Sequence, residues 1–172
     1  MTKQVLFIQG GGAGAYDEDK ALVASLQEAL GAEYDVLYPE MRNEDDPELW
    51  KPQLSKEVAA LDGAVFLVGH SAGASVLLQF LAEERVTNSI VGVFLIATPF
   101  WGAEVWQASQ LPEDLPIFFY HSRDDEIVPY AHLALFAEKL PQASICEFDG
   151  RGHQFNNDLS DVAADILNLQ DG

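Results

Sequence analysis

The sequence predicts an α/β fold: a doubly wound, parallel, six-stranded sheet with helices on both faces. Three observations lead there. Short β-like runs alternate with helical patterns along the whole chain. Most of the runs are near-continuously apolar, as in strands covered on both faces. The helical patterns between them carry apolar stripes, and strand–helix alternation of this kind argues for a parallel, doubly wound sheet.

The strands are expected at Val5–Gln9, Asp35–Tyr38, Ala64–Val68, Val91–Ile96, Ile117–His121 and Ser144–Phe148. Helices are expected at Asp17–Leu30, Glu48–Leu61, Ala72–Glu84, Ala131–Leu140 and Leu159–Leu169. In the first helix Leu22, Leu26, Ala29 and Leu30 recur at helical spacing, and Gly31 is placed to end it. Asp17, Glu18 and Asp19 lie in its first turn, where the helix dipole favours negative charge. In the third, Val76, Leu77, Phe80 and Leu81 form one apolar stripe. The stretch from Thr98 to Pro116 breaks the alternation. It carries Phe100, Trp101 and Trp106, with room for one short helix and none for a separate lid.

With 172 residues, 48% of them hydrophobic, the chain suits one globular domain spanning 1–172. No internal repeat or linker divides it. Its formal charge of −19 opposes phosphate backbones and anionic lipid, which excludes nucleic acid and membrane surfaces as expected partners. The densest acidic run, Asn43-Glu44-Asp45-Asp46, reads as solvated surface. A single cysteine, Cys146, forbids an intrachain disulfide and is expected to be a small buried hydrophobe in an apolar run. The N-terminal apolar segment is too short for a signal-peptide core or a membrane span, so a cytoplasmic location is the expectation.

The chemistry centres on Val-Gly-His-Ser-Ala-Gly, residues 68–73, between an expected strand and an expected helix. That placement is the pattern of a nucleophile elbow. The serine, Ser71, would sit on a sharp turn in a backbone conformation most residues resist. Gly69 and Gly73 would let strand and helix approach without side-chain clashes. A base should follow the last strand, and His153 does. His70 is beside the serine but directed away from it, His121 ends a strand, and His132 lies within a helix. An orienting acid should lie between serine and histidine, after a strand. Asp124, Asp125 and Glu126 all satisfy that. The amide of Ala72, after the serine, would supply one oxyanion donor. Gln9-Gly10-Gly11-Gly12-Ala13-Gly14 would supply a second, at Gly11 or alternatively Gly12. All these positions fall at strand C-terminal ends, the edge where parallel sheets build sites.

Glycine loop, elbow, acid and histidine in this order resemble the α/β-hydrolase family over essentially the whole chain. More narrowly, the short chain and the Pro-containing acidic segment running into Trp50 resemble the small, lidless serine hydrolases of the type that includes the retinoblastoma-binding serine hydrolase. The resemblance implies a minimal α/β-hydrolase fold without a cap domain, its strands in the spatial order 2-1-3-4-5-6. It also selects among the acids. The family often shows Asp-x-x-Val-Pro at this site, which Asp125 to Pro129 fit, so Asp125 is the implied triad member. The chain departs from the family's frequent His-Gly at the glycine loop, where Gln9 stands instead.

The expected reaction is carboxylesterase-like cleavage of small or short-chain esters through Ser71, Asp125 and His153, needing no metal or cofactor. The expected partner is a small-molecule ester. Phe100, Trp101 and Trp106 would either wall the substrate pocket or pack a short loop on the core. Two rivals stand beside this reading. One is a non-catalytic binding protein on the same fold. The other is a dinucleotide-binding protein, because Gly10 to Ala15 also match G-x-G-x-x-G/A, with Glu40 near the second strand.

Overall fold

Apolar alternation along the strands separates two cores. In β1 (Lys3–Ile8), Val5 and Phe7 point to one side and Leu6 and Ile8 to the other. The computed structural model, which describes residues 2–101 and 111–171, shows why both sides are apolar. A six-stranded, all-parallel sheet runs in the order β2-β1-β3-β4-β5-β6. Its other strands are β2 (Tyr34–Leu37), β3 (Ala64–His70), β4 (Ser89–Ile96), β5 (Ile117–Ser122) and β6 (Ser144–Phe148). This is the order the family resemblance implies, and no cap domain is evident among the described residues.

Helices α1 (Ala15–Leu30) and α5 (Ser160–Asp171) cover one face, where Leu22, Leu26, Val162 and Ile166 meet Val5, Phe7, Phe66, Val68 and Phe94. On the other face α2 (Lys51–Ala59), α3 (Ala72–Glu83) and α4 (Ala131–Lys139) bring Leu54, Leu77, Phe80 and Phe136 against Leu6, Leu67, Leu95 and Phe119. Each such side chain, fully buried, contributes about 1.5–3 kcal/mol of transfer free energy.

Four expectations change in detail. The helix expected over Glu48–Leu61 is a 3-10 turn, Pro47–Trp50, leading into α2. Pro52 fits the first turn of α2, where its missing N–H costs nothing. Trp50 is fully buried at the junction, its indole N–H donating to the Asn43 carbonyl at 3.2 Å. Helix α3 is buried on every side from Ala72 to Ala82, not along one stripe, because it is wedged between the sheet centre, α2 and the Pro47–Trp50 turn. Ala29, assigned to the buried stripe of α1, is exposed. Cys146 is only partly buried, since β6 is an edge strand. Among the described residues no helix is long and apolar enough to cross a membrane.

Candidate active site

Ser71 caps the N-terminus of α3 with φ 54° and ψ −122°, a strained backbone conformation for a residue with a side chain. Its amide donates to the Ile96 carbonyl at 2.8 Å, and its carbonyl accepts from Ala74 at 3.0 Å, so the turn is bonded on both sides. The flanking glycines are required by contact. A Cβ on Gly69 would lie 2.7 Å from Ala74 Cα, and one on Gly73 would lie 2.2 Å from the Gln9 carbonyl oxygen. Helix α3 approaches the end of β1 this closely because Gly73 carries no side chain, and it approaches β3 because Gly69 carries none.

Beyond β5, Asp125 turns its carboxylate inward with no side-chain exposure, while Asp124 remains at the surface. Asp125 Oδ1 accepts the amides of Ile127 and Val128, both at 2.8 Å. His153, in the loop after β6, places Nδ1 2.9 Å from Asp125 Oδ2 and 3.1 Å from Oδ1. Burial alone would raise the Asp125 carboxyl. Hydrogen bonds from His121, His153 and the two amides outweigh it and hold the group well below the ordinary aspartate value. Asp124 works differently: it accepts Ser122 Oγ at 2.5 Å and the Gly152 amide at 3.0 Å. It ties the β5 loop to the β6 loop and does not bond to His153.

The glycine loop lies against the elbow, since a Cβ on Gly11 would come within 3.2 Å of Ala72 Cβ. The Gly10 amide donates to Asp19 Oδ2 at 2.8 Å and the Gly12 amide to the Glu44 carbonyl at 2.7 Å. The amides of Gly11 and Ala72 have no acceptor among the described residues. Gln9, at the position where the family often carries histidine, is fully buried, and its Oε1 accepts the Met41 amide at 2.8 Å. Its side chain anchors the loop to the chain after β2.

Phe100 packs edge-on against Phe136 with centroids 5.0 Å apart, and its amide donates to His132 Nδ1 at 2.8 Å. That is a packing role for one of the three aromatics. Trp101 is 37% exposed. Trp106 lies outside the described residues, as does the rest of 102–110 within the stretch expected to hold one short helix. Among the described residues no cluster of three or more His, Cys, Asp or Glu is arranged to hold a metal ion.

Sequence reasoning missed four participants. His121 Nε2 lies 3.3 Å from Asp125 Oδ2 and 2.9 Å from the Val128 carbonyl. His70 and Asp19 are buried beneath the His153 loop, whose half-buried Gln154 bonds to Asp19. Asp19 is not a solvated partner of the α1 dipole: it is 1% exposed, with its carboxylate fully bonded. The one available signal was an acid on the buried side of α1, four residues from either Ala15 or Val23 and in line with Leu22 and Leu26.

The chain's likeness to known proteins is one of family and fold. The serine hydrolase family model matches residues 23–159. No curated protein matches the chain significantly. Among solved structures, the ydeN gene product from B. subtilis is similar with a TM-score of 0.76 at 21% identity, over 99% of this chain and 100% of that one. Est1E from Butyrivibrio proteoclasticus gives 0.75 at 16% identity, over 99% and 89%. SOBER1 from Arabidopsis thaliana gives 0.72 at 17% identity, over 99% and 100%. At these identities the likeness is one of fold.

Proposed function

The chain belongs to the serine hydrolase family, and we propose that it cleaves small or short-chain esters by acyl transfer through Ser71. The observation that carries this reading is the buried Asp125–His153 pair, formed at the same sheet edge as the strained serine turn. In the proposed cycle His153 Nε2 takes the Ser71 proton as Oγ attacks the ester carbonyl. The amides of Gly11 and Ala72 stabilise the tetrahedral oxyanion, each such donor being worth about 3–4 kcal/mol in the barrier. His153 then protonates the departing alcohol, and water repeats the sequence on the acyl-enzyme. Asp125 fixes the Nδ1–H tautomer and stabilises the imidazolium. Ser71 Oγ and His153 Nε2 do not hydrogen-bond to each other in the free protein, a contact that commonly tightens only when substrate binds.

The dinucleotide rival is weakened by the same loop. The Gly10 and Gly12 amides are already used, and the Asp19 carboxylate beneath Gly10 would repel a pyrophosphate. The acidic surface likewise favours neutral esters over strongly anionic ones such as acyl-CoA.

The test is labelling with a fluorophosphonate probe, followed by a panel of esters, thioesters and amides of increasing acyl length. Rapid labelling of the parent, its absence in Ser71→Ala and strong slowing in His153→Ala and Asp125→Asn are expected, with Asp124→Asn close to the parent. A folded parent that takes no label would overturn the reading in favour of a binding protein on a hydrolase fold. A preference for long-chain or CoA esters would overturn the assignment of substrate class.

A further inference from the structure

His70 and Asp19 sit 3% and 2% exposed, one beside the serine and the other on α1, with the His70 and His153 rings 4.9 Å apart. Both His70 ring nitrogens face acceptors: Nδ1 is 3.0 Å from Asp19 Oδ2, and Nε2 is 3.0 Å from the His153 carbonyl. With Asp19 ionised, only a ring carrying both protons satisfies the two contacts. A neutral tautomer would set a lone pair against an oxygen in a site without room for water to intervene. The carboxylate beside it supplies the balancing charge. Asp19 also accepts the Gly10 amide at 2.8 Å and Gln154 Nε2 at 2.6 Å.

One buried carboxylate therefore ties together the glycine loop, the end of β3 and the loop that bears the base. We propose that Asp19 and His70 form a charged positioning pair that sets His153 against Ser71 and the Gly11 amide. The role rests on the hydrolase reading above. Neither residue touches reacting atoms, so both act through the backbone they hold. Asp125 is the other charged group whose field reaches His70.

The experiment compares Asp19→Asn with the double variant Asp19→Asn/Gln154→Glu. In the single variant Gln154 turns its carboxamide oxygen toward the new NH2, so the change removes chiefly the negative charge beside His70. In the double variant the carboxylate at position 154 accepts from that NH2, and the negative charge returns one side chain away. On p-nitrophenyl acetate, kcat of the single variant is expected to fall by about 10²-fold, the cost of misplacing a catalytic group by ~1 Å. KM should stay within about twofold, and the double variant should recover most of kcat. A general loss of stability would not produce that split or that rescue. An unchanged kcat in folded Asp19→Asn, or a loss the double variant does not recover, would overturn the proposal.

A second measurement needs no activity. Ring 15N shifts should show His70 doubly protonated near neutral pH in the parent, and the His153 carbonyl 13C shift should move in Asp19→Asn. A neutral His70 or an unmoved His153 carbonyl would overturn the proposal. If the parent neither labels nor turns over, the hydrolase reading fails, and these shifts alone decide whether the pair holds the loop.

Discussion

Replacing Gly73 by alanine sets helix propensity against contact, and the two predict opposite signs. Gly73 lies in the first turn of α3, where alanine gains up to about 1 kcal/mol over glycine. The added methyl would meet the Gln9 carbonyl oxygen at 2.2 Å and the Ile8 carbonyl oxygen at 2.6 Å. The closer contact is about 1.2 Å short of the 3.4 Å at which ordinary contact begins. Both oxygens are backbone at the end of β1, so no side chain can swing aside. Overpacking costs about 1–3 kcal/mol where side chains can yield, and this site falls at or above the upper end. The net effect is a loss of about 2 kcal/mol or more. In a chain of this size that lowers Tm by about 4–8 °C. The displaced β1 end also carries Gly10 and Gly11, so fluorophosphonate labelling should slow as well. Gly14→Ala is the control: its φ of 81° makes alanine cost about 1–2 kcal/mol, but its Cβ meets nothing within 4 Å. It should lose stability and keep labelling. Thermal unfolding followed by circular dichroism reads both, and a Gly73→Ala protein melting at or above the parent would refute the contact argument.

Three further outcomes follow from the same geometry. Ser71→Gly should abolish labelling yet raise Tm by about 2–4 °C, because relief of ~1–3 kcal/mol of strain at φ 54° exceeds the added unfolded-state entropy; a lower Tm would show that the turn is unstrained. Despite its burial, the Asp19 carboxyl is held below its ordinary value by His70, Gln154 and the Gly10 amide. His70, also opposed by burial, is held above its ordinary value by Asp19 and the His153 carbonyl. The carboxylate's contribution is present above the ordinary aspartate value and lost as pH falls through its lowered folded value. The histidine's is complete below 6.5 and lost as pH rises through its raised folded value. The Tm difference between parent and Asp19→Asn should therefore peak near about pH 5–6 and shrink on both sides, and a difference constant with pH would contradict the ion pair. The Cys146 thiol is pushed up to about 11 by burial and then by Asp165 and Asp161, so it should react slowly with a disulfide reagent at neutral pH until the protein unfolds. Fast reaction of the folded protein would argue against that environment.

The fold was legible in the sequence because its signals are local. Strand–helix alternation, the apolar runs of β1, β3, β4 and β5, and the glycines around Ser71 each depend on residues close together in the chain. So does the positional logic of the elbow, since strand, turn and helix are contiguous. Partial burial of Cys146 was not legible, because whether β6 is an edge or an interior strand depends on the order of strands in space. Nor was the all-round burial of α3, because its second side is covered by the Pro47–Trp50 turn, distant in sequence.

At the site the division is sharper. Chain order and strand ends were enough to place Ser71 and His153 as candidates, and a serine, acid and histidine in that order already limited the chemistry. Composition and chain position could not separate Asp124 from Asp125, and only the family resemblance, through Asp-x-x-Val-Pro, pointed to Asp125. Only the tertiary structure shows Asp125 turned inward onto the Ile127 and Val128 amides and His153, with Asp124 turned out to Ser122 and Gly152. Of the Asp19–His70–Gln154 cluster the sequence carried one hint, an acid on the buried side of α1. The cluster's members are far apart in the chain, and each alone reads as an ordinary polar residue. A buried charge is stable only beside its partner, and which partner it meets is decided by the packing of α1 and the β6 loop against the end of β3.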